Sequence, residues 1–132
     1  MSTWNEDVLT ALAALNTLLT ADAAHALPDP ANIKSTGFTV GTGVTELIAA
    51  PGAGSQIRVW AIAHSAADVV EVVYQDDAGT PVVMAGPFTH SNSTGVVIAP
   101  AVPCFTCADN TALDINVSAA VQVGGLIVYE IV

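Results

Sequence analysis

The chain has 132 residues, which suits one domain with a single core and leaves roughly 95 residues for that core once an N-terminal helix is set aside. It carries 12 acidic residues against two certain cations, Lys34 and Arg58, for a net charge of −10; a nucleic-acid surface needs clustered Lys and Arg, and an anionic lipid surface needs the same, so both partners are excluded. Hydrophobic residues make up 52% of the chain and charged residues 11%, against ~25% charged in typical soluble domains, so part of the exterior is expected to be buried against other subunits.

The N-terminus, Met1-Ser2-Thr3-Trp4-Asn5-Glu6-Asp7, lacks the positive region of a signal peptide. No apolar stretch reaches the ~18 residues that span a bilayer. The chain is therefore expected to be made and used from the cytoplasm, and the glycosylation patterns Asn92-Ser93-Thr94 and Asn116-Val117-Ser118 are read as chance.

Residues 2–26 read as an amphipathic helix. Ser2 or Thr3 can cap it, Glu6 and Asp7 sit in its first turn, and Trp4, Val8, Leu12, Leu15 and Leu19 follow at spacings of four, four, three and four on one stripe. An Ala-rich stretch carries the propensity on until Pro28 and Pro30 stop it, for a helix roughly 30 Å long. A helix of that length is marginal alone in water. Burying the five stripe residues is worth about 7–15 kcal/mol gross, so the stripe needs a surface: its own sandwich, or, as the stiff segment Leu27-Pro28-Asp29-Pro30-Ala31-Asn32 favours, a neighbouring subunit or host surface. The chain thus divides into a helical arm with a Pro-containing spacer, 1–32, and a β-sandwich domain, 33–132.

The remainder is mainly β. Strands are predicted at 36–40, 44–49, 56–65, 69–75, 81–85, 95–99, 112–117 and 123–131, with turn residues between them and longer loops at 86–94 and 100–110. Eight short strands in under about a hundred residues describe a jelly-roll-like antiparallel sandwich. Several strands are apolar on both faces. In Ile57-Arg58-Val59-Trp60-Ala61-Ile62-Ala63, strict alternation puts Trp60 and Ile62 opposite Ile57 and Val59, one face for the core and the other for a subunit.

Groups for chemistry are few. Cys104-Phe105-Thr106-Cys107 has redox or half-zinc spacing but lies between strands with no second pair, so the two thiols are read as small core or loop residues. His25, His64 and His90 are scattered. Asp68, Glu71, Asp76, Asp77, Asp109 and Asp114 fall mostly at turns and strand ends, where Asp bonds local backbone; Asp76-Asp77 with Asp109 lacks the spaced oxygen ligands of a calcium loop. No G-x-S-x-G elbow is present. No enzyme, no cofactor and no metal site are expected.

Taken together, Ala50-Pro51-Gly52 before 56–62, then Ala85-Gly86-Pro87, Thr111-Ala112-Leu113-Asp114-Ile115 and the closing Gly124-Gly125-Leu126-Ile127-Val128-Tyr129 resemble the small β-sandwich capsid decoration, or cement, proteins of tailed bacteriophages. The resemblance covers about 36–132. It implies a jelly-roll subunit, commonly trimeric, on the surface of an icosahedral virion assembled in the host cytoplasm, bridging copies of the major capsid protein. A helix stands here where some such proteins begin with an extended arm. The alternative is a tail or receptor-binding sandwich that recognises carbohydrate, with Phe88, His90 and Asn92 in one long loop as its patch.

Overall fold

The computed structural model describes residues 3–21 and 31–132, with one helix and nine strands among them. Helix α1 spans Thr3–Ala21. Its side chains are described from Glu6 to Leu15, and all ten are exposed. The strands are β1 Lys34–Val40, β2 Gly43–Ile48, β3 Ile57–Ala66, β4 Val70–Asp76, β5 Val82–His90, β6 Thr94–Ile98, β7 Phe105–Thr106, β8 Leu113–Val117 and β9 Val123–Ile131.

They form two antiparallel sheets. The front sheet has the order β1-β9-β3-β6, with β7 continuing the β6 edge of β3, and the back sheet has the order β2-β8-β4-β5. The pairs β1·β9, β2·β8, β3·β6 and β4·β5 are those of one long hairpin with its tip between β4 and β5, rolled up so that β9 also meets β3 and β8 meets β4. That winding is a jelly roll. Between the sheets lie Ile57, Val59 and Ile62 of β3, Val72 and Tyr74 of β4, Leu113, Ile115 and Val117 of β8, and Val123 and Ile127 of β9, all essentially inaccessible. Alternate residues of each strand supply this layer, as the two-residue period requires.

Three expectations are corrected. Strict alternation fails at Trp60, because the pairing of β3 with β9 shifts there: Val59 faces Tyr129 and Ala61 faces Val128, leaving Trp60 as the extra residue of a bulge. Ile57, Val59 and Ile62 consequently all point into the core, and Trp60 does not share a face with Ile62. The loop expected at 86–94 is largely strand, since Phe88, Thr89 and His90 pair with Val72, Glu71 and Val70. Gly86 and Pro87, turn residues on paper, lie instead where the β4·β5 register shifts; Gly86 has φ 104°, and a Cβ there would sit 2.8 Å from the Val72 carbonyl oxygen. Lastly, the loop expected at 100–110 contains β7, whose neighbours Cys104 and Cys107 donate backbone N–H groups to the Val59 and Ile57 carbonyls at 2.8 Å each. The chain thereby covers the part of the β3 edge that β6 leaves open.

Candidate interaction surfaces

The outer face of the front sheet is built in cross-strand rows. Register places Val97, Ala63, Leu126 and Gly37 side by side in one row, Gly95, Ser65, Gly124 and Thr39 in the next, and Ala61, Val128 and Ser35 in a third. None of these eleven residues is charged. With strands ~4.8 Å apart, the Val97 and Leu126 ridges stand roughly 10 Å from each other across Ala63. A groove of about 350 Å³ runs between them over Ala63, Ser65, Gly95 and Gly124. Val97 is 79% exposed and Leu126 42% exposed, which places large apolar side chains in water on both rims.

The outer face of the back sheet also exposes Val44 and Val83, but it carries charge. Glu46 of β2 lies beside Asp114 of β8, with Glu71 of β4 further along and Asp77 just beyond the strand end. Burial, together with the charges of Asp77 and Glu46, raises the Asp114 pKa above the ordinary carboxylate value. Over whole strands the contrast is sharper. The front sheet carries Lys34 and Arg58 against Glu130, a net of +1; the back sheet carries Glu46, Glu71, Asp76 and Asp114, a net of −4. Arg58 is neutralised by Glu130 at 3.3 Å, and the same carboxylate oxygen accepts the Trp60 indole N–H at 3.0 Å. This cluster closes one end of the front face.

Of the arm residues predicted to interact, Val8, Leu12 and Leu15 are exposed along α1, joined by Leu9. The side chains of Trp4 and Leu19 and the segment 22–30, with His25 and most of the expected spacer, lie outside the described residues. Among the described residues no helix is long and apolar enough to cross a membrane.

Two of the histidines that look scattered in sequence, His64 and His90, meet inside the sandwich. His64 Nε2 of β3 and His90 Nε2 of β5 are 2.7 Å apart, the Tyr74 hydroxyl of β4 is 2.9 Å from His64 Nδ1, and Thr94 Oγ1 of β6 is 2.8 Å from His90 Nδ1. Phe88 stands edge-on to the His64 ring at 5.5 Å. All four polar groups are satisfied by neutral rings with every proton pointing one way along the chain: Tyr74 donates to His64, His64 to His90, and His90 to Thr94, or the reverse throughout. Burial and the neighbouring His90 hold the His64 pKa down at about 4. The network joins front and back sheets, since β3 and β6 belong to one and β4 and β5 to the other. No spacing in the sequence announces it; the partners sit 10, 26 and 4 residues apart.

The remaining candidates for chemistry are structural in their contacts. The Cys104 thiol donates to the Trp60 carbonyl at 3.3 Å, while Cys107 is fully buried, its pKa pushed up to about 12 by burial and by Asp76 and Asp114. Thiolate, the nucleophilic form, is thus disfavoured. Asp76 is buried and accepts the Ala108 N–H at 3.3 Å, pinning the loop after β7. Among the described residues no three His, Cys, Asp or Glu side chains converge as metal ligands would. The carbohydrate patch expected at Phe88, His90 and Asn92 is not assembled, because Phe88 packs on the core and His90 is buried.

No protein-family model matches this chain, and none of the curated proteins is significantly similar to it.

Proposed function

We propose that this protein is a structural virion protein of the decoration, or cement, type: a non-enzymatic homotrimer that sits on an icosahedral shell, bridges copies of a major capsid protein and stiffens the head. The observation that carries the reading is the segregation of charge. The uncharged rows of the front sheet and an exposed apolar arm offer two surfaces for burial, while four of the five strand carboxylates lie in the back sheet, where the exposed Glu46 and Glu71 favour solvent and would keep decorated particles apart. A jelly roll is a common vehicle for shell-building domains, and the resemblance of 36–132 to phage decoration proteins points the same way. The net charge of −10 speaks against nucleic acid and anionic membranes as partners.

The test is addition of the purified protein to capsids that lack it. Saturable co-sedimentation at a multiple of three copies per site, with a raised disruption temperature of the shell, is expected. A strict monomer that stays in the supernatant overturns the reading.

A further inference from the structure

Two apolar surfaces of the same chain lie open to solvent: the α1 stripe, where Leu12 is 57% exposed, and the front-sheet groove between Val97 and Leu126. Their dimensions agree. A helix with its side chains is about 10 Å across, the same as the ridge-to-ridge distance across Ala63, and the row Gly95, Ser65, Gly124 leaves room below the ridges for a Leu side chain. Their charges agree as well. The described part of α1 carries Glu6 and Asp7 and no cation, and the rows that line the groove hold no charge to repel it, Arg58 being already paired with Glu130. The back face, with its carboxylates, would repel the same helix.

We infer that the α1 arm of one copy docks on the front-sheet groove of a second copy, with Leu12 and Leu15 entering between Val97 and Leu126. The occupant is a second copy, since within one chain the described part of the stripe, Val8 to Leu15, and the groove are both uncovered. The contact is head-to-tail: each chain gives an arm and receives one, and such a contact closes into a ring when the rotation allows. Three copies make the smallest ring beyond a dimer. The twelve residues that join Ala21 to Lys34 limit the separation of arm and body to about 40 Å at most. This inference rests on the oligomeric part of the proposed function and is independent of the capsid.

The experiment uses the full-length chain. Leu12→Cys and Val97→Cys variants are purified separately, mixed, and oxidised mildly, with the unsubstituted chain and its two native thiols run alongside. A disulfide-linked species formed in the mixture and in neither variant alone is expected. Leu12→Cys crosslinking to itself would show a helix bundle in place of arm exchange and would overturn the inference; so would a double variant that forms only an intramolecular bond, which would place the arm on its own sandwich. Light scattering gives an independent check. Val97→Asp, at a solvent-exposed position, should leave the melting curve in place and weaken self-association about ten-fold or more, while Glu71→Gln on the back face should not. An oligomer that survives Val97→Asp and Leu12→Asp unchanged sinks the proposal. Arm exchange intact in a protein that ignores capsids would break the virion reading and leave this one standing.

Discussion

The two outer faces of the sandwich are made the same way, from four main antiparallel strands over a shared apolar interior, and they differ in what the outward residues carry. On the front sheet the rows through Ala63, Ser65 and Ala61 hold small or aliphatic side chains, and the charge nearest to them is the paired Arg58–Glu130 cluster. On the back sheet Glu46 and Asp114 are cross-strand neighbours, an arrangement in which like charges destabilise each other. Solvent screens the exposed Glu46, while Asp114, only 7% exposed, bears the cost as a raised pKa; burying the whole face would remove the screening that remains. Charge, more than shape, therefore separates the face available for burial from the face that stays wet.

The largest expected effect asks which small residues of the front sheet the fold itself requires. Gly125 points inward, and a Cβ there would run into the Ala63 carbonyl oxygen and the Phe38 ring, whereas at Gly124, pointing outward, the nearest atom is an ordinary 3.6 Å away. Gly125→Ala is expected to cost about 4 kcal/mol or more, through backbone strain in a central strand, and Gly124→Ala no more than about 1 kcal/mol, both measured by urea unfolding. Equal costs would mean that the flatness of the front face is a packing requirement on both sides of the sheet and has no bearing on docking.

Next in size is a pH effect at the joint between the sheets. Because the folded His64 pKa of about 4 lies below the ordinary value of 6.5, the unfolded chain binds more protons between those values. The associated stability is complete above about pH 6.5 and is lost as pH falls toward 4, on the order of 3 kcal/mol in all. The neutral pair has one N–H in the 2.7 Å gap between its Nε2 atoms; two imidazolium rings would place two there. Unfolding free energies at pH 7 and pH 4 test this, and a His64→Gln/His90→Gln variant should show a flatter profile over the same range. An unchanged slope in that variant would assign the acid sensitivity elsewhere.

Deleting residues 1–32 should act on the front face alone. The β body is expected to keep its melting transition within a few degrees, since the ten described arm side chains are exposed, and to lose self-association as seen by light scattering. Unfolding of the body instead would show that the arm belongs to its core. The smallest effect belongs to the back face. Asp114 has a raised pKa, so its ionised form is the disfavoured one: the associated stability is present at low pH and lost as pH rises through the folded value. Asp114→Asn should therefore stabilise the protein at neutral pH, by about 0.5 kcal/mol given surface screening, and leave the oligomer unchanged.

Much of the architecture was legible in the residues. Helix α1 covers the acidic first turn and the 3.6-period stripe, and eight of the nine strands among the described residues overlap predicted ones, because turn residues and β-branched runs are local signals. Where local signals misled, a partner strand decided. Gly86-Pro87 reads as a turn until β4 is beside it, when the pairing of Val72 with Phe88 carries β5 on to His90. Trp60 reads as one more alternating residue until β9 makes it the extra residue of a bulge, and only then do Val59 and Ile62 both face the core.

The candidate surfaces divide in the same way. The arm's apolar stripe is a property of neighbours along one helix, so composition and spacing determined it, as they determined the excess of acid and the antiparallel sandwich. The groove rim of Val97 and Leu126, the segregation of carboxylates to one sheet and the Tyr74–His64–His90–Thr94 chain each bring together residues from different strands. Those juxtapositions follow from the order in which a rolled hairpin stacks its strands, a long-range pairing that no stretch of the sequence encodes by itself. Tertiary structure alone turned scattered small, acidic and imidazole side chains into a neutral face, a charged face and the buried joint between them.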